Sequence, residues 1–268
     1  MNILRCPVCG QELCREERVW ICPRRHSFDT AKEGYVNLLA GRRGGDTVGD
    51  NRTMAASRRD FLNKGYYDPL AQAVTDCLRQ YSRDGDSVLD ICCGEGYYTA
   101  YAAQRLDRDF YGFDLSKSMV RLAAKRRCGA AFFVANIASI PVGDVCVSAA
   151  FHLFAPFHAG EFCRILSRGG VLLTAIPGSD HLLGLKEILY DKPYLNDEKK
   201  PDAEGLEVAE RIRVHGEITL DSRSDIDALF RMTPYFYHTP TEGMNRLSQC
   251  ESLTTPISFV IIAYKKAP

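Results

Sequence analysis

The sequence predicts an α/β protein, a parallel sheet with helices on both faces behind a small N-terminal unit. Two observations carry this. Between residues 87 and 178, strand-like apolar runs alternate with helix-like amphipathic segments, the pattern of strands joined by crossover helices. The first thirty residues contain "CPVC" and "CPRRH", pairs of soft ligands spaced as in closed zinc sites. With 268 residues the chain accommodates one large domain and one small one.

Composition narrows the class. Hydrophobic residues make up 46% and charged residues 25%, with zero formal net charge, which excludes a histone-like polycation. Residues 1–68 carry 12 Lys/Arg against 9 Asp/Glu, leaving 22 against 25 for the remainder. That tilt gives weak support to a nucleic-acid face near the front. No apolar run approaches the roughly 20 residues that cross a bilayer. The start "MNILRCPVCG" lacks the apolar stretch of a secretory leader. A cytoplasmic protein with no membrane partner is the expectation.

Seven of the eleven cysteines (Cys77, Cys92, Cys93, Cys128, Cys146, Cys163 and Cys250) sit among apolar neighbours or in helix-like segments and read as small core residues. The other four cluster at the front. Cys6, Cys9, Cys22 and His26 supply four ligands for one structural Zn²⁺, with "ELCREERVWI" between the pairs as a short hairpin. With every position filled by protein, no open site remains for catalytic water. A unit this short buries too little to fold alone, so a metal staple is physically sensible. Cys14 is an alternative to one of the four.

From 40 to 53 the chain is rich in Gly and charge and reads as a mobile loop. Arg42, Arg43, Arg52, Arg58 and Arg59 face only Asp46 and Asp50 between residues 40 and 59, a composition suited to phosphate. Apolar residues from Phe61 through Tyr66, Leu70, Val74, Leu78 and Tyr81 have helical spacing. These segments divide the chain into a metal-binding unit (1–38), a flexible basic linker (39–60) and a main domain (61–268).

The main domain opens with "SVLDIC", a buried strand, then "CGEG", a tight turn, then "YYTAYAAQRL", a helix. Glycines in such a turn let a ligand approach bare backbone near the amide end of the helix. Strand "DFYGFDLS", helix "KSMVRLAAKRR", strands "AAFFVANI" and "VCVSAAFHLF", helix "GEFCRILSR", strand "GGVLLTAIPG" and a helix starting near His181 follow. Asp90 ends the first strand before the turn. Asp114 ends the second, about twenty residues on, where a carboxylate can hold both ribose hydroxyls. Asn136, ending the third, is placed to meet an adenine edge. This ordered set with Gly94 and Gly96 resembles the Rossmann-like class I S-adenosylmethionine (SAM)-dependent methyltransferases. Cys92 stands where their first glycine usually does.

The two halves together are more specific. The Cys6/Cys9/Cys22/His26 knuckle followed by "FDTAKEGYVNLL", "GYYDPL", "LDICCGEGYYT", "FAPF", "PGSDHLLGLKEILY" and "MTPYFY" resembles the RlmA-type 23S rRNA (guanine-N(1)-)-methyltransferases over nearly the whole chain. The resemblance implies zinc on the four ligands above. It implies SAM contacts at Tyr67, Gly94, Glu95 and His181, beside Asp90, Gly96, Asp114 and Asn136 read from the strand ends. It further implies a homodimer that accepts a 23S rRNA hairpin.

Methyl transfer from a sulfonium is an in-line displacement whose main demand is alignment at roughly 3 Å. Guanine N(1) carries a proton, so a base or a water relay must lie close by. His152, His158, Asp180 and His181 are the candidates. Phe154 of "FAPF" is placed to stack on the target base, while Ala155 and Pro156 offer carbonyls to its polar edge. Two rival readings compete: a small-molecule SAM-dependent methyltransferase, against which the knuckle speaks, and a zinc-containing RNA-binding protein with an inactive core, for which Cys92 speaks.

Overall fold

The computed structural model describes residues 2–39 and 52–267, with the side chains of Arg52 and Thr53 outside the description. The loop centred on Arg42 and Arg43 therefore lies outside the described residues. The chain opens with three short strands, β1 (Cys14–Glu16), β2 (Val19–Ile21) and β3 (Ser27–Asp29), paired antiparallel in that order. The next strand, β4 (Val36–Asn37), joins the main sheet.

Helix α1 (Arg52–Leu62) follows, then α2 (Asp68–Tyr81). Two expectations are corrected here. Residues 52–60, read as flexible linker, are helical. The amphipathic run from Phe61 to Tyr81 is two helices, not one. Gly65 at φ 79° turns the chain between them, and Pro69 in the first turn of α2 lacks the N–H that a continuous helix would require.

The main body is β5 (Ser87–Ile91), α3 (Tyr97–Ala103), β6 (Asp109–Asp114), α4 (Lys117–Lys125), β7 (Ala131–Val134), β8 (Val147–Leu153), α5 (Ala159–Ile165), β9 (Leu166–Pro177), α6 (Leu183–Leu189), β10 (Leu206–Leu220), α7 (Arg223–Arg231), a 3-10 turn (Pro234–Tyr237), α8 (Thr241–Ser248) and β11 (Leu253–Lys266). The sheet order is β10-β11-β9-β8-β5-β6-β7-β4. Strands β4 to β9 run parallel, whereas β11 pairs antiparallel with both β9 and β10. The sheet is thus mixed where a purely parallel one was predicted. The long antiparallel pair of β10 and β11, joined through α7, the 3-10 turn and α8, closes one side through alternating patterns such as "ERIRVHGEI", which suit a half-solvated antiparallel strand.

Strand order reverses at β5, with β6 on one side and β8 on the other. Side chains at the carboxyl ends of strands flanking such a switch point converge on a crevice. All five residues of β5 are buried, so the Gly turn that follows starts from a rigid base.

The N-terminal unit is docked rather than tethered. Ile3, Leu4, Leu13 and Trp20 belong to the same buried cluster as Leu89, Ile91, Phe113 and Phe133 of the sheet. Leu4 bridges Val142, and Arg5 N–H donates to the Pro141 carbonyl at 2.9 Å. The proposed boundary at residue 38 therefore falls just after an edge strand of the main sheet.

Candidate metal centre and methyl-donor cavity

Cys6, Cys9, Cys22 and His26 bring one ligand atom each to within 4.8 Å of all the others. Cys9 Sγ and Cys22 Sγ lie 3.7 Å apart, and His26 Nδ1 lies 3.5 Å from Cys6 Sγ and 3.4 Å from Cys22 Sγ. Tetrahedral ligands at the usual Zn–S and Zn–N lengths of about 2.3 and 2.0 Å would be separated by roughly 3.5–3.8 Å. The donor set and its spacing therefore fit Zn²⁺. Cys14, the alternative ligand, is exposed on β1 opposite Ile21 and takes no part in the cluster.

At the switch point a cavity of about 330 Å³ opens, lined by Asp90, the Cys92–Glu95 turn, Arg58, Tyr67, Phe154, His181 and Tyr235, among others. The turn is shaped by backbone sterics. Cys92, Gly94 and Gly96 have φ of 60°, 54° and 78°, so all three positions use the left-handed region that glycine enters freely. At Gly96 a Cβ would also meet Ala123 Cβ at 2.8 Å. Gly96 thus packs α3 against α4 and starts α3, while Gly94 opens backbone to the cavity. Asp114 accepts from Gly94 N–H at 3.1 Å and from Ser116 N–H at 2.8 Å, pinning the turn to the end of β6.

Charge inside the cavity is paired with care. Asp90 is buried, accepts from the Thr99 hydroxyl, and has its carboxyl pushed up to about 8, chiefly by burial, with the Asp114 and Glu95 charges adding. Glu95, also buried, is raised by desolvation, while Arg126 opposes the rise. Arg126 Nε donates to Glu95 Oε2 at 2.7 Å and to its carbonyl at 2.9 Å. The other oxygen, Glu95 Oε1, is buried with no hydrogen-bond partner among the described residues. An orphaned buried carboxylate oxygen carries a desolvation penalty that a cationic donor removes. Arg58 and Tyr67 line the same cavity, so the lining holds groups for both ends of a zwitterion such as the amino-acid portion of SAM. The residues present fit that molecule.

Tyr67 and His181 form a unit. Ser258 N–H donates to His181 Nδ1 at 3.2 Å, which leaves the ring proton on Nε2, 3.4 Å from the Tyr67 hydroxyl. Tyr67 then has its own O–H available to donate into the cavity. Burial, with Lys186 nearby, holds the His181 imidazole down to about 3, so it is neutral. Burial raises the Tyr67 phenol far above its usual range. Phe61 and Phe259 rings pack edge-on against Tyr67 at 5.2 and 5.1 Å.

The structure does not gather the four candidate bases. His152 is buried behind the cavity, its Nε2 donating to the Pro156 carbonyl at 2.9 Å, and burial lowers it to about 4. That bond engages one lone pair of the Pro156 carbonyl, which leaves one for a ligand. His158 is the exposed N-cap of α5, accepting from Glu161 N–H. Asp180 pairs with His215 at 3.0 Å, which lowers its carboxyl. Of the four, His181 alone lines the cavity, and its basicity is suppressed. Phe154 is half exposed at φ 58°, tilted against Phe259 at 5.7 Å. A strained, outward-facing aromatic beside a cavity is suited to stacking.

Asn136 falls elsewhere. It is exposed, its Oδ1 accepts from Ala138 N–H at 3.0 Å, and it borders a separate depression with Arg5 and Leu38. Tyr97, Tyr98, Met232 and Tyr235 line the cavity without having been singled out from sequence, and Arg58, read as a phosphate-binding residue of the linker, lines it as well. The aromatic run "MTPYFY" was the one signal for Met232 and Tyr235. Nothing in the sequence marked buried Lys186, which donates to the Tyr194 carbonyl at 2.9 Å and to Asn196 at 2.7 Å.

Comparison with known proteins bears on both sites. Residues 4–42 match the model of the RlmA N-terminal zinc ribbon, and residues 88–170 a methyltransferase domain. A Streptomyces fradiae protein named 23S rRNA (guanine(748)-N(1))-methyltransferase is 33% identical over 97% of this chain and 96% of its own. The chain belongs to the 23S rRNA (guanine-N(1)-)-methyltransferase family. Methyltransferases of this family's core type also include a Rhodopseudomonas palustris trans-aconitate 2-methyltransferase, 31% identical over 48% of the chain and 55% of its own length. Among solved structures, Haemonchus contortus phosphoethanolamine N-methyltransferase 2, in complex with S-adenosyl-L-methionine, superposes with TM-score 0.50 at 15% identity, covering 83% of this chain and 59% of its own. It shows the shared SAM-methyltransferase fold.

Proposed function

We propose that the protein transfers the SAM methyl group to N(1) of a guanosine in a hairpin of 23S rRNA. One observation carries the reading: a Cys3His ribbon is docked on a SAM-type core within a chain 33% identical, end to end, to a named 23S rRNA guanine-N(1)-methyltransferase. The small-molecule relatives match about half the chain, which leaves the ribbon without a purpose in that alternative.

When bound, SAM supplies the electrophilic methyl. The protein's part is positional. Asp90 and Glu95 take the ammonium end, and Arg58 and the Tyr67 hydroxyl, backed by His181, take the carboxylate. Gly94 leaves backbone bare beside the sulfonium, with Gly96 keeping the turn shape. Asp114, at the end of β6 and bonded to Gly94 N–H, is assigned the nucleoside side, whereas Asn136 borders a separate depression and takes no part. Phe154 and Tyr235 flank the space left for the guanine, which must leave its stack to expose N(1). A homodimer acting in the cytoplasm completes the proposal; light scattering of the purified chain tests its oligomeric state.

N(1)-methylguanosine cannot form its Watson–Crick pair, so reverse transcriptase stops one nucleotide before it. Primer extension and mass mapping of 23S rRNA from cells with and without the gene test the proposal. A stop at the position equivalent to 748 that appears with the wild-type chain and vanishes with Asp90→Ala is the expected result. Identical rRNA in both strains overturns it.

A further inference from the structure

The geometry points to a second feature: a basic trough along α4 that holds the RNA backbone between the ribbon and the cavity. Lys117, Arg121 and Lys125 recur every fourth residue and are all exposed. Four-residue spacing places side chains in one row, about 6 Å apart. Two surface depressions share Arg121 and Lys125. One extends to Arg59 and Ala56 on α1, the other to Lys32 and Arg127. They form one continuous basic track across the molecule.

Its two ends give the track its meaning. Lys32 and Glu33 precede β4 in the ribbon segment. At the other end Arg59 borders the trough while its neighbour Arg58 lines the methyl-donor cavity, so α1 is the wall between them. Arg121 is held by Glu33 at 2.7 Å and Arg59 by Asp60 at 2.8 Å. Lys32, Lys117, Lys125 and Arg127 form no ion pair among the described residues. The opposite face of α4, Met119, Val120, Ala123 and Ala124, is buried, so the helix is anchored and its cations share the outward face. A row of exposed cations, of which Arg121 alone is paired among the described residues, matches a polyanion better than a globular partner, whose acidic groups are interspersed with other chemistry. The occupant is an RNA strand contacted through its phosphates, without base readout. This rests on the rRNA reading and adds where the backbone lies.

The test combines Lys32→Gln, Lys117→Gln and Lys125→Gln in the full chain. Binding of a 23S rRNA hairpin transcript is measured by fluorescence anisotropy across a salt series, beside methyl transfer to the same transcript. Three lost phosphate contacts are expected to weaken binding about tenfold or more near physiological salt. They should also flatten the slope of log K against log salt by about 2. KM for RNA should rise with kcat and SAM affinity unchanged, and the corresponding Lys→Arg triple variant should bind like wild type. An unchanged slope and affinity in the Gln variant overturns the trough while rRNA methylation by the wild type stands. A wild type that binds the transcript with the expected slope difference but methylates no 23S rRNA keeps the trough and removes the proposed activity. A wild type that binds no RNA removes both.

Discussion

The ribbon and the methyl-donor core keep their shapes by opposite means. In the ribbon the three strands have three residues each, and of these only the central Trp20 of β2 is buried. In the core, β5 is buried throughout, and its neighbours β6 and β8 bury Phe113, Val147 and Phe151 completely. The ribbon has four ligands in place of a core of its own. The lesson is a division of sensitivities: the ribbon's shape follows the metal, and the donor cavity follows packing and local charge.

The sharpest break is metal removal. Chelation, or Cys9→Ser, is expected to abolish rRNA methylation, because the ribbon's fold energy is largely binding energy. SAM affinity, followed by calorimetry, should fall by less than about tenfold, since no ligand of the cluster lines the cavity. Equal loss of both activities would erase the distinction drawn above.

Next is Asp90. Asp90→Ala should lower kcat/KM by about 10²-fold or more, a loss of roughly 3 kcal/mol in transition-state stabilisation, while leaving zinc content intact. Its proton gives a second readout. An unfolded Asp titrates near 3.9, but buried Asp90 holds its proton to about 8. Between those values the folded chain binds more protons than the unfolded chain, so stability falls as pH rises from 4 to 8. Asp90→Asn should remove that part of the slope in thermal melts of the ligand-free protein.

Phe154→Ala tests the stacking site. A loss of about 10-fold in kcat/KM with RNA is expected, from stacking worth about 1–3 kcal/mol per base, with SAM affinity unmoved. A smaller effect belongs to His181. Because it is held neutral at about 3, the pH–rate profile should show no histidine inflection near 6.5, and His181→Gln should lower kcat severalfold without moving the acid limb. The mildest change is Cys92→Gly. It relieves a left-handed non-glycine worth about 1 kcal/mol and should preserve SAM binding. A large gain in activity would instead mark Cys92 as a brake on this core.

Much of this was readable in advance because it depends on local pattern. The four zinc ligands are fixed by spacing, and Asp90, Gly94, Gly96 and Asp114 by strand ends and turn sterics. Cys92 adopts the left-handed φ of 60° that glycine enters freely, so the turn forms without a glycine there. What stayed hidden depends on distant chain segments. Ser258, from β11, sets the tautomer of His181, and Pro156 occupies His152. Neither pairing has a sequence signature. Arg126 reaching Glu95 and Lys186 buried under Tyr194 are of the same kind. The antiparallel β10–β11 pair was missed, because its strands meet across a long connection that holds two helices. The base candidates failed because histidines in the right stretch were read without knowing which nitrogens were already engaged.

The pairing of β4 with β7 has a further consequence. An open strand edge invites pairing with other chains, and β7, "AFFV" with Phe132, Phe133 and Val134 buried, would be an adhesive one. The far edge, β10, protects itself with Glu207, Glu210, Arg211, Arg213 and Glu217. The near edge is guarded only by a two-residue strand delivered by the ribbon. Excising the ribbon therefore leaves more than an enzyme unable to find its substrate. It uncovers the β7 edge, so a core without the ribbon is expected to be less soluble than the full chain.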